Sequence, residues 1–114
     1  MWSGARTPEE LETLFEDAWL MRDGPLLAGL LADGAVMATD AHRVPVGLLA
    51  GARALWAAGR PYVGARPRVL GSRDLALLVS PAAVHVARRD AAGDWRLAIA
   101  LLHPVDPSDP RSTR

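Results

Sequence analysis

Residues 66–103 read RPRVLGSRDLALLVSPAAVHVARRDAAGDWRLAIALLH, and the way short apolar runs alternate with turn residues in this stretch decides the fold. Arg66 to Gly71, Leu75 to Ser80, Ala83 to Arg89 and Trp95 to His103 are four candidate strands, each bounded by Gly, Pro, Ser or Asp. Asp90-Ala91-Ala92-Gly93-Asp94 joins the last two as a hairpin, and Ser80-Pro81 is the turn before the third. Pro67 restricts the first to an edge or to the strand's opening residues, because it has no N–H to give to a ladder. Simple alternation puts Trp95, Leu97, Ile99, Leu101 and His103 on one face of the last strand and Ala98, Ala100 and Leu102 on the other. Both faces are apolar, which predicts that a second subunit covers the outer one, as a homodimer.

Upstream the period changes from two to 3.6. Thr7-Pro8-Glu9-Glu10 is a helix start in which the Thr7 hydroxyl accepts from the Glu10 N–H, with Pro8 preset for the first turn. Glu9, Glu10 and Glu12 sit where the helix dipole favours negative charge. Leu11, Leu14, Phe15, Ala18 and Trp19 then form one apolar stripe. Asp23-Gly24-Pro25 interrupts this helix and starts a second, in which Leu27, Leu30 and Leu31 share a face before Asp33-Gly34 stops it. Ala35 to Thr39 reads as a short strand, Asp40-Ala41-His42 as a turn and Arg43 to Val46 as extended. Leu48, Leu49, Ala52, Leu55 and Trp56 restore the helical period, and Gly59 is placed as the C-terminal cap.

The chain of 114 residues suffices for one core. The expected organisation is an N-terminal extension at 1–6, one domain at 7–105 and a disordered Asp/Pro/Ser/Arg tail at 106–114. Thirteen basic and thirteen acidic side chains cancel, so no long-range field draws the chain to nucleic acid or to an anionic membrane. With no cysteine, disulfides, thiolate catalysis and Cys-ligated zinc are excluded. The longest apolar runs, Leu75 to Val79 and Leu97 to Leu102, are too short to span a bilayer. A soluble, cytoplasmic protein is expected.

The order helix, helix, strand, helix, meander is accompanied by Arg22-Asp23-Gly24, Leu31-Ala32-Asp33-Gly34-Ala35-Val36, Gly51-Ala52-Arg53-Ala54-Leu55-Trp56, Asp74-Leu75-Ala76-Leu77, Arg88-Arg89-Asp90 and Gly93-Asp94-Trp95-Arg96. From Thr7 to Pro104 this resembles the nuclear transport factor 2-like superfamily, which includes SnoaL-like polyketide cyclases and ketosteroid isomerase. The resemblance implies an α+β fold, three N-terminal helices packed on a curved, mostly antiparallel sheet, a cystatin-like cone around an apolar pocket. It also implies a function: a cofactor-free isomerase, cyclase or dehydratase acting on an apolar carbonyl or polyketide-type metabolite. The alternative is a non-catalytic module that binds a hydrophobic ligand or assists a partner as a dimer.

The ketosteroid isomerase template puts its oxyanion-stabilising Tyr at Phe15 and its Asp base at Thr39, and neither residue present can do that work. Asp40 reaches the base position only through a one-residue bulge. The candidate catalytic groups are therefore Asp40, His85 and His103. His103 is either a base or donor toward a ligand carbonyl or a strand-end His satisfied by backbone or water. His85 shares a face with Ala83 and Ala87, whose small side chains leave room beside the imidazole, and faces either the pocket or solvent and a partner. Asp40 and His42 form either a base-and-orienter pair or an ordinary turn. Phe15, Trp19, Met37, His42, Trp56 and Tyr62 are the candidate ligand-lining side chains, with core packing as the alternative use of the aromatics. No His-x-x-x-His or Glu-x-x-His spacing occurs, so no metal site is expected.

Overall fold

The structure is a computed structural model and describes residues 4–39, 44–62, 64 and 66–103. Helix α1 runs Pro8–Met21. It starts where the Thr7 hydroxyl accepts from the Glu10 N–H at 3.1 Å, satisfying one of the donors that a helix start leaves open. It ends at Arg22, whose φ of 50° lets its N–H and that of Asp23 close back on the Trp19 and Ala18 carbonyls at 3.1 and 2.9 Å. Asp23 then caps α2, Gly24–Gly29, by accepting from the Leu26 N–H at 3.0 Å.

The second helix stops at Gly29, earlier than Asp33-Gly34, because those two residues belong to strand β1, Leu31–Thr39. Gly34 has a φ of 71° and sits in an irregular stretch of that strand, where a glycine is needed for the same reason that one suits a helix end. Strand β2, Val46–Gly47, is two residues long and leads directly into α3, Leu48–Ala57. Beyond the Ala58 cap, Gly59 takes a φ of 70° and bonds back to the Trp56 carbonyl at 3.0 Å. The remaining strands are β3 Arg68–Ser72, β4 Leu75–Val79, β5 Ala83–Arg89 and β6 Trp95–Leu102.

The six strands form one mixed sheet in the order β2-β1-β6-β5-β4-β3. β1 lies parallel to β6 and every other neighbouring pair is antiparallel. The protein is therefore α+β. Met37, Ala76, Leu78, Ala83, Ala87, Leu97, Ala100 and Leu102 share one apolar core with Leu11, Phe15, Ala18 and Trp19 of α1, Leu27 of α2, and Leu48, Ala52 and Trp56 of α3. Gly51 makes the α3 contact possible, since a Cβ there would lie 2.3 Å from Met37 Sδ. Ala5 belongs to this packing too; it is fully buried, and its carbonyl accepts from the Trp95 N–H at 2.8 Å. No described helix is long and apolar enough to cross a membrane.

Simple alternation does not hold along β6. One step on β5, from Val86 to Ala87, is matched by two on β6, from Ile99 to Leu97, so Ala98 is an extra residue in the ladder. Trp95 and Leu97 on one side of it and Ala100 and Leu102 on the other all face the helices, while Ile99 and Leu101 are turned outward. The single face expected to carry Trp95, Leu97, Ile99, Leu101 and His103 is thus divided by this bulge. His103, half-buried, lies just beyond the strand, and its N–H donates to the Ala82 carbonyl at 2.8 Å.

Candidate functional site

The site grows out of the α1 stripe. Glu12, Phe15 and Trp19 are spaced i, i+3 and i+7, so the carboxylate lies along the same buried side as the two rings. Glu12 is only 7 % exposed. A carboxylate in that position needs donors, and the fold supplies two.

The first is Tyr62. After α3, the Gly59 turn carries the chain back over α1, where the Trp19 indole N–H donates to the Arg60 carbonyl at 3.1 Å. Two residues on, the Tyr62 hydroxyl donates to Glu12 Oε1. Burial, first, and then the adjacent Glu12 charge, the hydrogen bond to it and the more distant Glu16 all push the phenol well above its ordinary range, so it stays protonated.

The second donor is His85. Its neighbours on the inner sheet face are Ala83 and Ala87 along β5, Leu78 on β4 and Ala100 on β6, and the three alanines leave space for the ring. His85 is 2 % exposed, and its Nδ1 lies 2.8 Å from Glu12 Oε2. With Glu12 Oε2 as the acceptor, a ring proton sits on Nδ1, an assignment made from the hydrogen-bond network. His85 Nε2 is buried and has no hydrogen-bond partner among the described residues; Trp56 Nε1 is the other such atom.

The rings pack as a continuous row. Phe15 meets His85 and Tyr62 edge-on at 5.0 and 5.1 Å, Tyr62 stacks on His85 at 6.0 Å, and Trp19 lies 5.8 Å from both Tyr62 and Trp56. At these spacings Phe15, Trp19, Trp56 and Tyr62 pack against one another as part of the core. Met37 packs under Gly51 of α3. Asp40 and His42 lie outside the described residues. Of the two described candidate catalytic residues, His85 is placed beside Phe15 and Tyr62, and His103 follows the end of β6. Glu12, which the helix dipole suffices to explain in the sequence, joins this buried network, and its spacing to Phe15 and Trp19 is the signal for it. Among the described residues, no group of three His, Asp or Glu is placed to hold a metal ion.

The outer edge of Glu12 reaches a surface groove of about 340 Å³ bordered by Glu9, Thr13, Glu16, Gly64, Arg66 and Pro67. One carboxylate therefore touches both the buried imidazole and a solvent-facing depression.

No family model and no curated protein matches the sequence. Solved structures do match the fold. A protein from Thiobacillus denitrificans, described as a candidate calcium/calmodulin-dependent protein kinase type II association domain, superposes with a TM-score of 0.74 at 18% identity, covering 92% of this chain and 100% of that one. An NTF2-like protein from Cytophaga hutchinsonii gives 0.65 at 14% identity, with 84% and 93% covered. The chain has the NTF2-like fold. A ketosteroid isomerase-like protein from Erwinia carotovora atroseptica shares this fold at a TM-score of 0.61 and 16% identity, over 87% of this chain and 94% of that one. Identities this low carry the fold and leave the activity to the site.

Proposed function

We propose that the chain is an acid–base protein of the NTF2-like fold in which His85, oriented by Glu12, takes up and returns a proton on an apolar carbonyl compound. The observation that carries this reading is the buried, unpartnered His85 Nε2 on a ring whose Nδ1 is held by a carboxylate. An orphaned buried polar atom costs about 1–3 kcal/mol, and an apolar side chain would remove that cost. Its retention beside an orienting carboxylate is the arrangement of a general base. Proton transfer adjacent to a carbonyl needs little more from the protein: the base, a carboxylate beside it to stabilise the imidazolium that forms, and a route for the ligand to Nε2. Phe15, which stands at the template's Tyr position, closes the ring's edge and supplies the apolar surrounding. Tyr62 is committed to Glu12 and serves as its positioning donor.

The test is α-hydrogen exchange of a simple apolar cyclic ketone in heavy water, followed by NMR. Wild-type protein should incorporate deuterium at least about 100-fold faster than a folded His85→Asn variant. Equal rates in the two would refute the assignment. If Asp40 is instead the base, Asp40→Asn abolishes the exchange and His85→Asn does not.

A second reading, a non-catalytic dimer module, draws on the outer sheet face. Leu70, Leu77, Val86, Ile99 and Val36 stand opposite one another across five strands, with Leu70 69 % and Ile99 46 % exposed. A continuous apolar row of this kind suits a second copy of the same face. Dimerisation through this face is compatible with either reading, and ketone exchange separates the catalytic from the non-catalytic one.

A further inference from the structure

We infer that Glu12 is the route by which the enclosed His85 exchanges protons with solvent, the opening being the groove that α1 forms with Gly64, Arg66 and Pro67. The inference rests on the reading of His85 as the proton-exchanging group. Its ground is geometric. Glu12 borders the groove with Glu9, Thr13, Glu16, Gly64, Arg66 and Pro67, while its Oε2 lies 2.8 Å from His85 Nδ1. Around the imidazole the other ring contacts are Phe15 and Tyr62; phenylalanine carries no proton, and the Tyr62 hydroxyl is itself bound to Glu12. Every described polar path from the imidazole thus passes through this one carboxylate.

The steps balance without a further reagent. When Nε2 accepts a proton the ring becomes an imidazolium, and the Nδ1 proton passes to Glu12 Oε2. Glu12, now neutral, releases that proton to water in the groove and returns to the carboxylate. The reverse sequence recharges the ring. Glu9 and Glu16 against the single Arg66 make the groove net negative, which draws hydronium and other cations toward its mouth. The Glu16 charge is felt inside as well, since it helps keep the Tyr62 phenol protonated.

The experiment uses the full chain labelled with ¹⁵N-histidine and no ligand, with solvent exchange of the His85 ring N–H read by NMR. Glu12→Gln keeps a hydrogen-bonding oxygen but cannot take up and release the proton, so exchange should slow by at least about tenfold. Should that variant misfold, Thr13→Trp, at an exposed position on the groove wall, narrows the opening and should slow exchange severalfold. His103→Gln should leave the His85 rate unchanged. Unaltered His85 exchange in both folded groove variants overturns the inference. Slowed exchange in a protein that never deuterates the ketone would remove the catalytic reading and leave the proton route standing.

Discussion

Tyr62 makes the buried network measurable in alkali. It is the sole tyrosine, and the chain has no lysine and no cysteine, so above about pH 9 no other side chain except arginine, which stays charged, remains to titrate. In the unfolded chain the phenol ionises near about pH 10, whereas in the folded chain burial and the Glu12 charge hold its proton far above that. Between the two values the unfolded state gives up a proton that the folded state keeps. Stability is therefore complete below about pH 10 and falls as pH rises, by about 1.4 kcal/mol per pH unit. At about pH 11.5 the loss amounts to about 2 kcal/mol. Urea unfolding followed by tryptophan fluorescence, from about pH 8 to about pH 11.5, gives the slope, and near-ultraviolet phenolate absorbance of the folded protein gives the titration. Tyr62→Phe should lose about 1–3 kcal/mol at neutral pH, because Glu12 Oε1 is left without its donor, and should then show no alkaline slope. A phenolate appearing near pH 10 while the protein remains folded, or the same slope in Tyr62→Phe, would refute the buried Tyr62–Glu12 pair.

Three further outcomes are expected. Gly51→Ala should destabilise by about 1–3 kcal/mol, since its Cβ would meet Met37 Sδ and Cγ at 2.3 and 2.7 Å; an unchanged urea midpoint would contradict the close α3–β1 contact. Arg22→Gly should stabilise by up to about 1 kcal/mol by relieving the left-handed backbone at the α1 cap, read as a rise in melting temperature. Ile99→Arg, on the outer sheet face, should convert a dimer to a monomer in sedimentation velocity without altering the circular dichroism; a wild-type chain that sediments as a monomer would remove the second-copy reading.

Much of the fold was legible because it depends on patterns a single chain displays. The Thr7 cap, the Leu11–Trp19 stripe and the Gly59 stop lie in local sequence, and β4 and β5 follow from alternation bounded by Asp, Ser and Pro. Two features were hidden for physical reasons. Asp33-Gly34 looks like a helix stop because a glycine with positive φ serves a helix end and a strand irregularity equally well. The Ala98 bulge leaves no mark, since alanine fits either face of a sheet, yet it reverses the phase for the strand residues after it, Ile99 to Leu102. In the site, His85 could be named from its alanine neighbours, but its direction depended on which sheet face met the helices. Glu12 was obscured because a glutamate in the first half of a helix has an adequate surface explanation in the dipole. Only the pairing of a distant strand and a post-helix turn with α1 reveals that it serves two buried donors.

The central claim is that Glu12 fixes His85 with its proton on Nδ1 and a free lone pair at Nε2. Long-range ¹H–¹⁵N correlation spectra of the imidazole at neutral pH read this directly, because protonated and unprotonated ring nitrogens are well separated. The account predicts a protonated Nδ1, an unprotonated Nε2 and a shift at Nε2 when an apolar ketone is added. A ring protonated at Nε2 alone, or an Nε2 signal indifferent to the ketone, would contradict it.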